Sequence, residues 1–396
     1  MDPTFVTPRY DEAGFAGLPG RIRELVASNR YDAVVLFLVD GFGWRFFEKF
    51  QSGPFLGRVL REGSAKRLTS QFPSTTSAHL TTIHTGQPVG QHGVYEWYIY
   101  EPGLEAVIAP LLYSVSGTPQ RDTLKGTEIK PARLYPGENL YRSMKKQGIS
   151  ATMLQSRDYT PSTYSDAMFV GAKASGFRTL PEGLANLAEF LKDPQTPAYY
   201  FFYFDKVDTI CHEYGPTSPQ TEAEILAFLL AMENIFLQAQ ARNRKKVLFL
   251  LTADHGHVET DPETTIFINR DPAFAGIEKF LRTNRAGQPL VPAGSARDFF
   301  LHVKDEAVDE AQSFLSTRLE GRAEVHKVAE LAKAGFFGPV LSPVFLSRVA
   351  NLVILPYRGE SVWWYEKDKF EMRFRGHHGG LTLQEMEIPL ITWEMM

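Results

Sequence analysis

The stretch Ala33-Val-Val-Leu-Phe-Leu-Val39 is seven apolar residues long and stops at Asp40-Gly41. An unbroken β-branched and aromatic run of this length predicts a strand buried on both faces, the signature of a parallel sheet covered by helices. Asp40 then stands at the strand's carboxyl end, the edge where open parallel sheets bind their ligands. The same pattern returns twice. Ala198–Phe204, A-Y-Y-F-F-Y-F, runs into Asp205 and Asp208, and Val247–Thr252, V-L-F-L-L-T, runs into Asp254 and His255. A weaker fourth strand is expected over Ile149–Leu154. Between these runs lie segments with helical periodicity: Leu18–Ser28, Pro54–Glu62, Asn139–Gln147, Pro181–Leu191, and Ser218 to about Ala241. Strands alternating with helices predict an α/β protein with a doubly wound, mostly parallel sheet and helices on both faces.

Working outward, Tyr95–Lys130 is punctuated by Gly and Pro and carries Tyr95, Trp97, Tyr98 and Tyr100 close together. It reads as an insertion that either walls a pocket, with Tyr95 and Trp97 against the substrate, or covers the core. Residues 260–294 read as a second insertion. Beyond it, Asp298–Val303 and Asn351–Leu355 are expected strands on either side of a helix over Ala307–Leu319. No internal repeat or low-complexity tract interrupts the chain.

Composition narrows the function. Of 396 residues, 43% are hydrophobic, enough for a large core, and a net charge of −4 provides no electrostatic footprint for a nucleic-acid duplex or an anionic membrane. The basic run Arg242–Lys246 complements the carboxyl end of the preceding helix and is solvated. One cysteine, Cys211, rules out an intrachain disulfide and a thiolate metal cluster. The opening residues lack a basic segment followed by an apolar run, so a cytoplasmic location is the expectation.

Chemistry concentrates in a few residues. Gln71–Gln91, Q-F-P-S-T-T-S-A-H-L-T-T-I-H-T-G-Q-P-V-G-Q, places hydroxyls where a helix begins, and unpaired N–H groups there favour an anion. Ser74, Thr75 and Thr76 are read either as helix caps or, at Thr76, as a nucleophile. Asp40, Asp208, His212, Asp254, His255 and the pair His377-His378 supply carboxylates and imidazoles without thiolates, a donor set for zinc or a related divalent ion. Asp208 and His212 are spaced to meet on one side of a helical turn.

V-D-G-F, F-P-S-T-T, D-T-I-C-H-E-Y-G-P, T-A-D-H-G and H-H-G-G occur in that order. Together they resemble the nucleotide pyrophosphatase/phosphodiesterase family of the alkaline phosphatase superfamily. The resemblance implies one catalytic domain over residues 1–396 and two divalent ions, zinc or alternatively manganese, at the sheet's carboxyl edge. Asp40, Asp254, His255 and the Thr76 oxygen would hold one ion, and Asp208, His212 and His378 the other. Counting four residues from Phe72 assigns the nucleophile to Thr76. Three residues further on, where the resemblance implies an Asn that donates to a phosphoryl oxygen, this chain has His79, read as its replacement. His257 is read as a loop residue or a neighbour of the ligands.

The implied activity is hydrolysis of a phosphodiester or phosphoanhydride bond in a small phosphate ester or nucleotide, through a phospho-threonine intermediate. Alternatives are a phosphomonoesterase or phosphonate hydrolase on the same fold, and a non-catalytic metal-binding relative. The aromatics of residues 95–100 suit a nucleobase or a choline-like group equally.

Overall fold

A computed structural model of the chain describes residues 1–395. Its largest sheet has seven strands: β1 (Ala33–Val39), β2 (Ser64–Thr69), β3 (Ser150–Ser156), β4 (Lys173–Phe177), β5 (Ala198–Phe204), β6 (Val247–Thr252) and β7 (Glu387–Met395). Their order across the sheet is β2-β7-β6-β1-β5-β3-β4, and β7 alone runs against the others. The all-apolar runs take the centre. All residues of β1, β5 and β6 are buried, as they must be with neighbours on both edges and helices over the faces.

This order decides where a site forms. The chain places β5 on one side of β1 and β6 on the other, so the connections leaving the carboxyl ends diverge there and open a crevice. Register keeps those ends level: Val39 is opposite Phe204, and Leu38 is opposite Thr252. Asp40, Asp205 and Ala253-Asp254 therefore emerge at one edge, within a residue of each other in height.

Two helices complete that edge. Helix α1 (Thr76–Thr85) is buried along its whole length, and Gly86 closes it in a left-handed conformation, φ 76°, that glycine adopts without strain. Helix α2 (Lys206–Tyr214) starts directly after β5 and carries Asp208 and His212 one turn apart.

The expected insertion at 260–294 is the first part of a larger unit. Residues 260–375 leave the core after Val258-Glu259 and return at Gly376-His377, two short strands paired antiparallel, so entry and exit adjoin. Within this unit Ala293–Ser295, Asp298–Leu301, Leu352–Pro356 and Ala323–Lys327 form a four-stranded antiparallel sheet. It covers its own apolar cluster, including Phe299, Leu315, Ile354 and Trp363. Arg297 and Glu385, both fully buried, fasten the unit to the core through two hydrogen bonds of 3.0 Å. Truncating either partner would leave a buried charge uncompensated, at a cost of about 3–5 kcal/mol. In the segment 95–130, Ile99–Glu101, Ala106–Ala109 and Ser114-Val115 form a three-stranded antiparallel sheet. Among the described residues no helix is long and apolar enough to cross a membrane.

Candidate active site

Thr76 is the first residue of α1. Thr75 before it is extended, and no side chain caps the helix. The N–H groups of the first turn are thus left to whatever enters the crevice. The Thr76 hydroxyl lies 3.2 Å from His255 Nε2 and 3.4 Å from each carboxylate oxygen of Asp40. Those contacts are long for an O–H donor. They leave the oxygen available for chemistry.

Around it the acceptors face one another. His255 Nδ1–H donates to the Gly256 carbonyl at 3.2 Å, which turns the Nε2 lone pair inward, 3.3 Å from Asp40 Oδ1 and 3.4 Å from Asp254 Oδ2. Asp254 Oδ1 accepts the backbone N–H groups of Gly41 and His255, at 3.1 and 3.0 Å, while its Oδ2 is buried with no partner. Burial, reinforced by each other's charge and that of Asp208, raises the Asp40 carboxyl well above the ordinary range. Burial likewise raises Asp254 and holds His255 neutral. A lone pair and two carboxylates converging with only the distant Thr76 hydroxyl between them repel one another unless a cation stands there.

A second group adjoins the first. Asp208 Oδ1 lies 2.9 Å from His257 Nε2, 3.3 Å from His212 Nε2 and 3.7 Å from His378 Nε2. His212 donates from Nδ1 to the Gly376 carbonyl at 2.7 Å, and His378 from Nδ1 to the Ser74 carbonyl at 2.9 Å. Both imidazoles thus aim Nε2 at Asp208. Burial keeps His212 and His378 neutral. The same burial would raise Asp208, but the approach of the His212 imidazole and the hydrogen bond donated by His257 outweigh it and hold that carboxylate well below the usual range. The His255 and His378 rings stack at 3.6 Å and join the two groups. Ligand atoms of Asp40, Asp254 and His255 gather within 4.8 Å of one another, as do those of Asp208, His212 and His257, and those of Asp208, His255 and His378. This donor set, two carboxylate-imidazole groups with an orphaned carboxylate oxygen, fits two divalent cations.

The family model for type I phosphodiesterases/nucleotide pyrophosphatases matches residues 34–381, nearly the whole span from β1 to the turn after His378. The chain belongs to that family. Its relatives include a venom phosphodiesterase of Crotalus durissus collilineatus, 25% identical over 240 residues, which are 57% of this chain and 26% of the venom protein. The Schizosaccharomyces pombe pyrophosphatase/phosphodiesterase, described as uncharacterized, is 22% identical over 246 residues, 60% of this chain and 47% of that one. The chain therefore spans about a quarter of the length of the venom relatives it matches. Among solved structures, murine ectonucleotide pyrophosphatase/phosphodiesterase 5 superposes with a TM-score of 0.66 at 16% identity, covering 91% of this chain and 87% of that one. An inactive Thr-to-Ala variant of the murine protein, in complex with AMP, matches equally well, with a TM-score of 0.66. At this identity the likeness shows the fold.

In this member of the family two expected site residues stand elsewhere. His79 faces away from the crevice: its Nε2 accepts the Gln71 N–H at 2.9 Å and lies 2.8 Å from Ser70 Oγ, while Nδ1–H donates to the Thr75 carbonyl at 2.7 Å. Burial pushes its pKa down to about 4. Both ring nitrogens are consumed in shaping the turn before α1, so His79 has no donor for a phosphoryl oxygen. Tyr95 is fully buried against Phe300 and Phe345, and it lines no part of the crevice. Trp97 does, at 36% exposure, beside Thr76, Leu111, Arg121, Tyr159 and Tyr203.

Sequence reasoning left Tyr203 unassigned and His257 open between a loop residue and a neighbour of the ligands. Tyr203, near the end of β5, donates its hydroxyl to Asp40 Oδ2, and its signal was a phenol recurring in an otherwise aromatic and apolar strand. His257 donates to Asp208, and its signal was the second histidine of T-A-D-H-G-H. His377, by contrast, turns toward the Met372 sulfur at 3.0 Å.

Proposed function

We propose that this chain is a two-metal phosphodiesterase or nucleotide pyrophosphatase that uses Thr76 as nucleophile. The observation that carries the reading is the position of the Thr76 hydroxyl, at an uncapped helix N-terminus and 3.2–3.4 Å from the Asp40 and His255 acceptors. Asp40, Asp254 and His255, with Thr76, would hold one ion, and Asp208, His212 and His378 the other. Carboxylate and imidazole donors without thiolate favour zinc, with manganese second. When bound, the ions supply positive charge that makes the Thr76 hydroxyl a stronger acid and withdraws charge from the phosphoryl oxygens.

The chain's own groups do the rest. Thr76 gives its hydroxyl proton to solvent and its Oγ1 attacks phosphorus; the Oγ1–P bond forms, and the bond to the leaving oxygen breaks on the opposite side, that oxygen keeping the electron pair and taking a proton from water. The free N–H groups of the first turn of α1 receive the phosphoryl oxygens. Water then cleaves the phospho-threonine and returns the hydroxyl. Asp40, Asp208, Asp254 and a deprotonated Thr76 about balance two divalent charges, which suits the single charge of a diester better than the double charge of a monoester. Rates on bis(p-nitrophenyl) phosphate and p-nitrophenyl phosphate test this. The diester is expected to be at least about tenfold faster. Faster monoester turnover would favour the phosphomonoesterase alternative, to which Arg121 lends its support: it lines the crevice, stacks 5.3 Å over Tyr159 and forms no ion pair among the described residues.

The crevice offers the leaving group Trp97, Tyr159 and Leu111. Aromatic faces of this kind, and the AMP complex of the murine neighbour, support a nucleotide as substrate. Trp97→Ala is expected to raise KM for a nucleotide ester roughly tenfold, with kcat within about twofold. An unchanged KM would remove Trp97 from recognition.

His257 acts through Asp208, which it holds by a 2.9 Å hydrogen bond. His257→Ala is expected to weaken binding of one ion by about 10–100-fold, and His257→Gln to restore most of it. A zinc competition titration in which neither change alters affinity would refute that role.

A further inference from the structure

Behind the wall of the crevice lie two carboxyls that the proposed reaction does not use. Glu96 and Asp298 are both fully buried. Glu96 Oε2 accepts the backbone N–H of Trp97, and Oε1 has no partner. Asp298 Oδ1 accepts the Ser295 N–H at 3.1 Å and the Ser295 hydroxyl, and Oδ2 has no partner. The Thr75 hydroxyl, buried and likewise without a partner, lies beside Glu96.

Backbone pairing sets the segments that carry Glu96 and Asp298 side by side. Tyr98 bridges Gly294, which puts Glu96 two residues from that bridge, and Ser295 pairs with Asp298 across the adjoining turn. Each carboxyl is raised first by burial, and Asp298 next by the charge of Glu96. Glu385, which also bears on Asp298, has its charge taken by Arg297. The group therefore holds two acids, three bare oxygens and no basic side chain.

We propose that Glu96, Asp298 and Thr75 form a binding site for a hard divalent cation, magnesium or calcium, distinct from the two imidazole-bearing groups. Oxygen-only ligands with a charge of about −2 match those ions, whereas zinc prefers the imidazoles nearby. An ion here ties three parts of the active site together: Thr75 precedes the nucleophile, Trp97 follows Glu96, and the Ser295 hydroxyl reaches the His378 carbonyl at 3.2 Å. Its role is to position them.

The experiment uses the full chain loaded with zinc, freed of other ions, and dialysed to equilibrium against radioactive calcium or, in a second arm, magnesium measured by atomic emission. One equivalent beyond the zinc is expected, with a dissociation constant below about 1 mM. It is lost in Glu96→Gln and Asp298→Asn while the zinc content stays unchanged, and only the wild type gains Tm on addition of the ion. The proposal fails if neither arm shows the extra equivalent at 10-fold that concentration, or if folded variants retain it. It also fails if Glu96→Gln melts higher than wild type and neither protein responds to the ion, because the two carboxyls then share a proton. Should the variants not fold, the wild-type dialysis decides. A chain that takes up this ion yet hydrolyses no ester would sink the functional reading and leave the site intact.

Discussion

Thr76→Ala protein is expected to lose phosphodiester turnover by roughly 10³-fold or more while retaining its fold and its zinc. The size of the effect follows from what the hydroxyl does in the proposed reaction: without Oγ1 no covalent intermediate forms, and only the residual catalysis of a charged crevice remains. The retained fold follows from how little the hydroxyl contributes to packing. Its contacts are the long ones to Asp40 and His255, and it caps nothing. Thr76→Ser keeps an oxygen at the same place and should recover most of the loss. Turnover of Thr76→Ala within tenfold of wild type would put the nucleophile elsewhere, and circular dichroism with a metal count separates that result from misfolding.

Removing the ions is expected to abolish turnover and to leave a pH-dependent cost at the buried carboxyls. In the stripped protein Asp40 and Asp254 are raised by burial, Asp40 further by the Asp254 and Asp208 charges. A carboxyl raised in the folded state contributes stability that is complete below its unfolded pKa, about 4. That stability is lost as pH climbs toward the folded value. The buried neutral histidines, His79, His212, His255 and His378 among them, contribute with the opposite sign, so the carboxyl contribution is read by difference: on going from pH 5 to pH 8 the stripped Asp40→Asn chain should gain Tm relative to the stripped wild type. Zinc replaces the missing protons, so it should raise Tm by about 5–10 °C at pH 8 and by less at pH 5, where protons compete for the ligands. A stripped Asp40→Asn chain whose Tm tracks the wild type at both pH values, or a Tm that ignores zinc, would contradict the facing-acceptor account of the site.

Much of the site was legible because its residues sit at the ends of strands that announce themselves. Asp40, Asp208, Asp254 and His255 each follow an apolar run, and level registers turn that shared sequence position into shared space. His79 and Tyr95 were misread for one reason: local pattern marks a residue as buried or polar but not which neighbour meets its tip. The His79 ring points back at Gln71 and Thr75, and the Tyr95 ring enters a core made by Phe300 and Phe345, more than 200 residues away in sequence. The second insertion was drawn too short because its later strands alternate and pair like any antiparallel sheet. Only the pairing of Val258-Glu259 with Gly376-His377 shows where it begins and ends.

By itself the sequence determined the α/β class, the central strands and the order of the motifs. Those properties depend on hydrophobic runs and spacing, which are local. The tertiary structure decided that acceptors face acceptors around Asp40 and Asp208, and that His257 holds Asp208. Each of these is a contact between distant segments, set by strand order and packing, and no spacing along the chain encodes it.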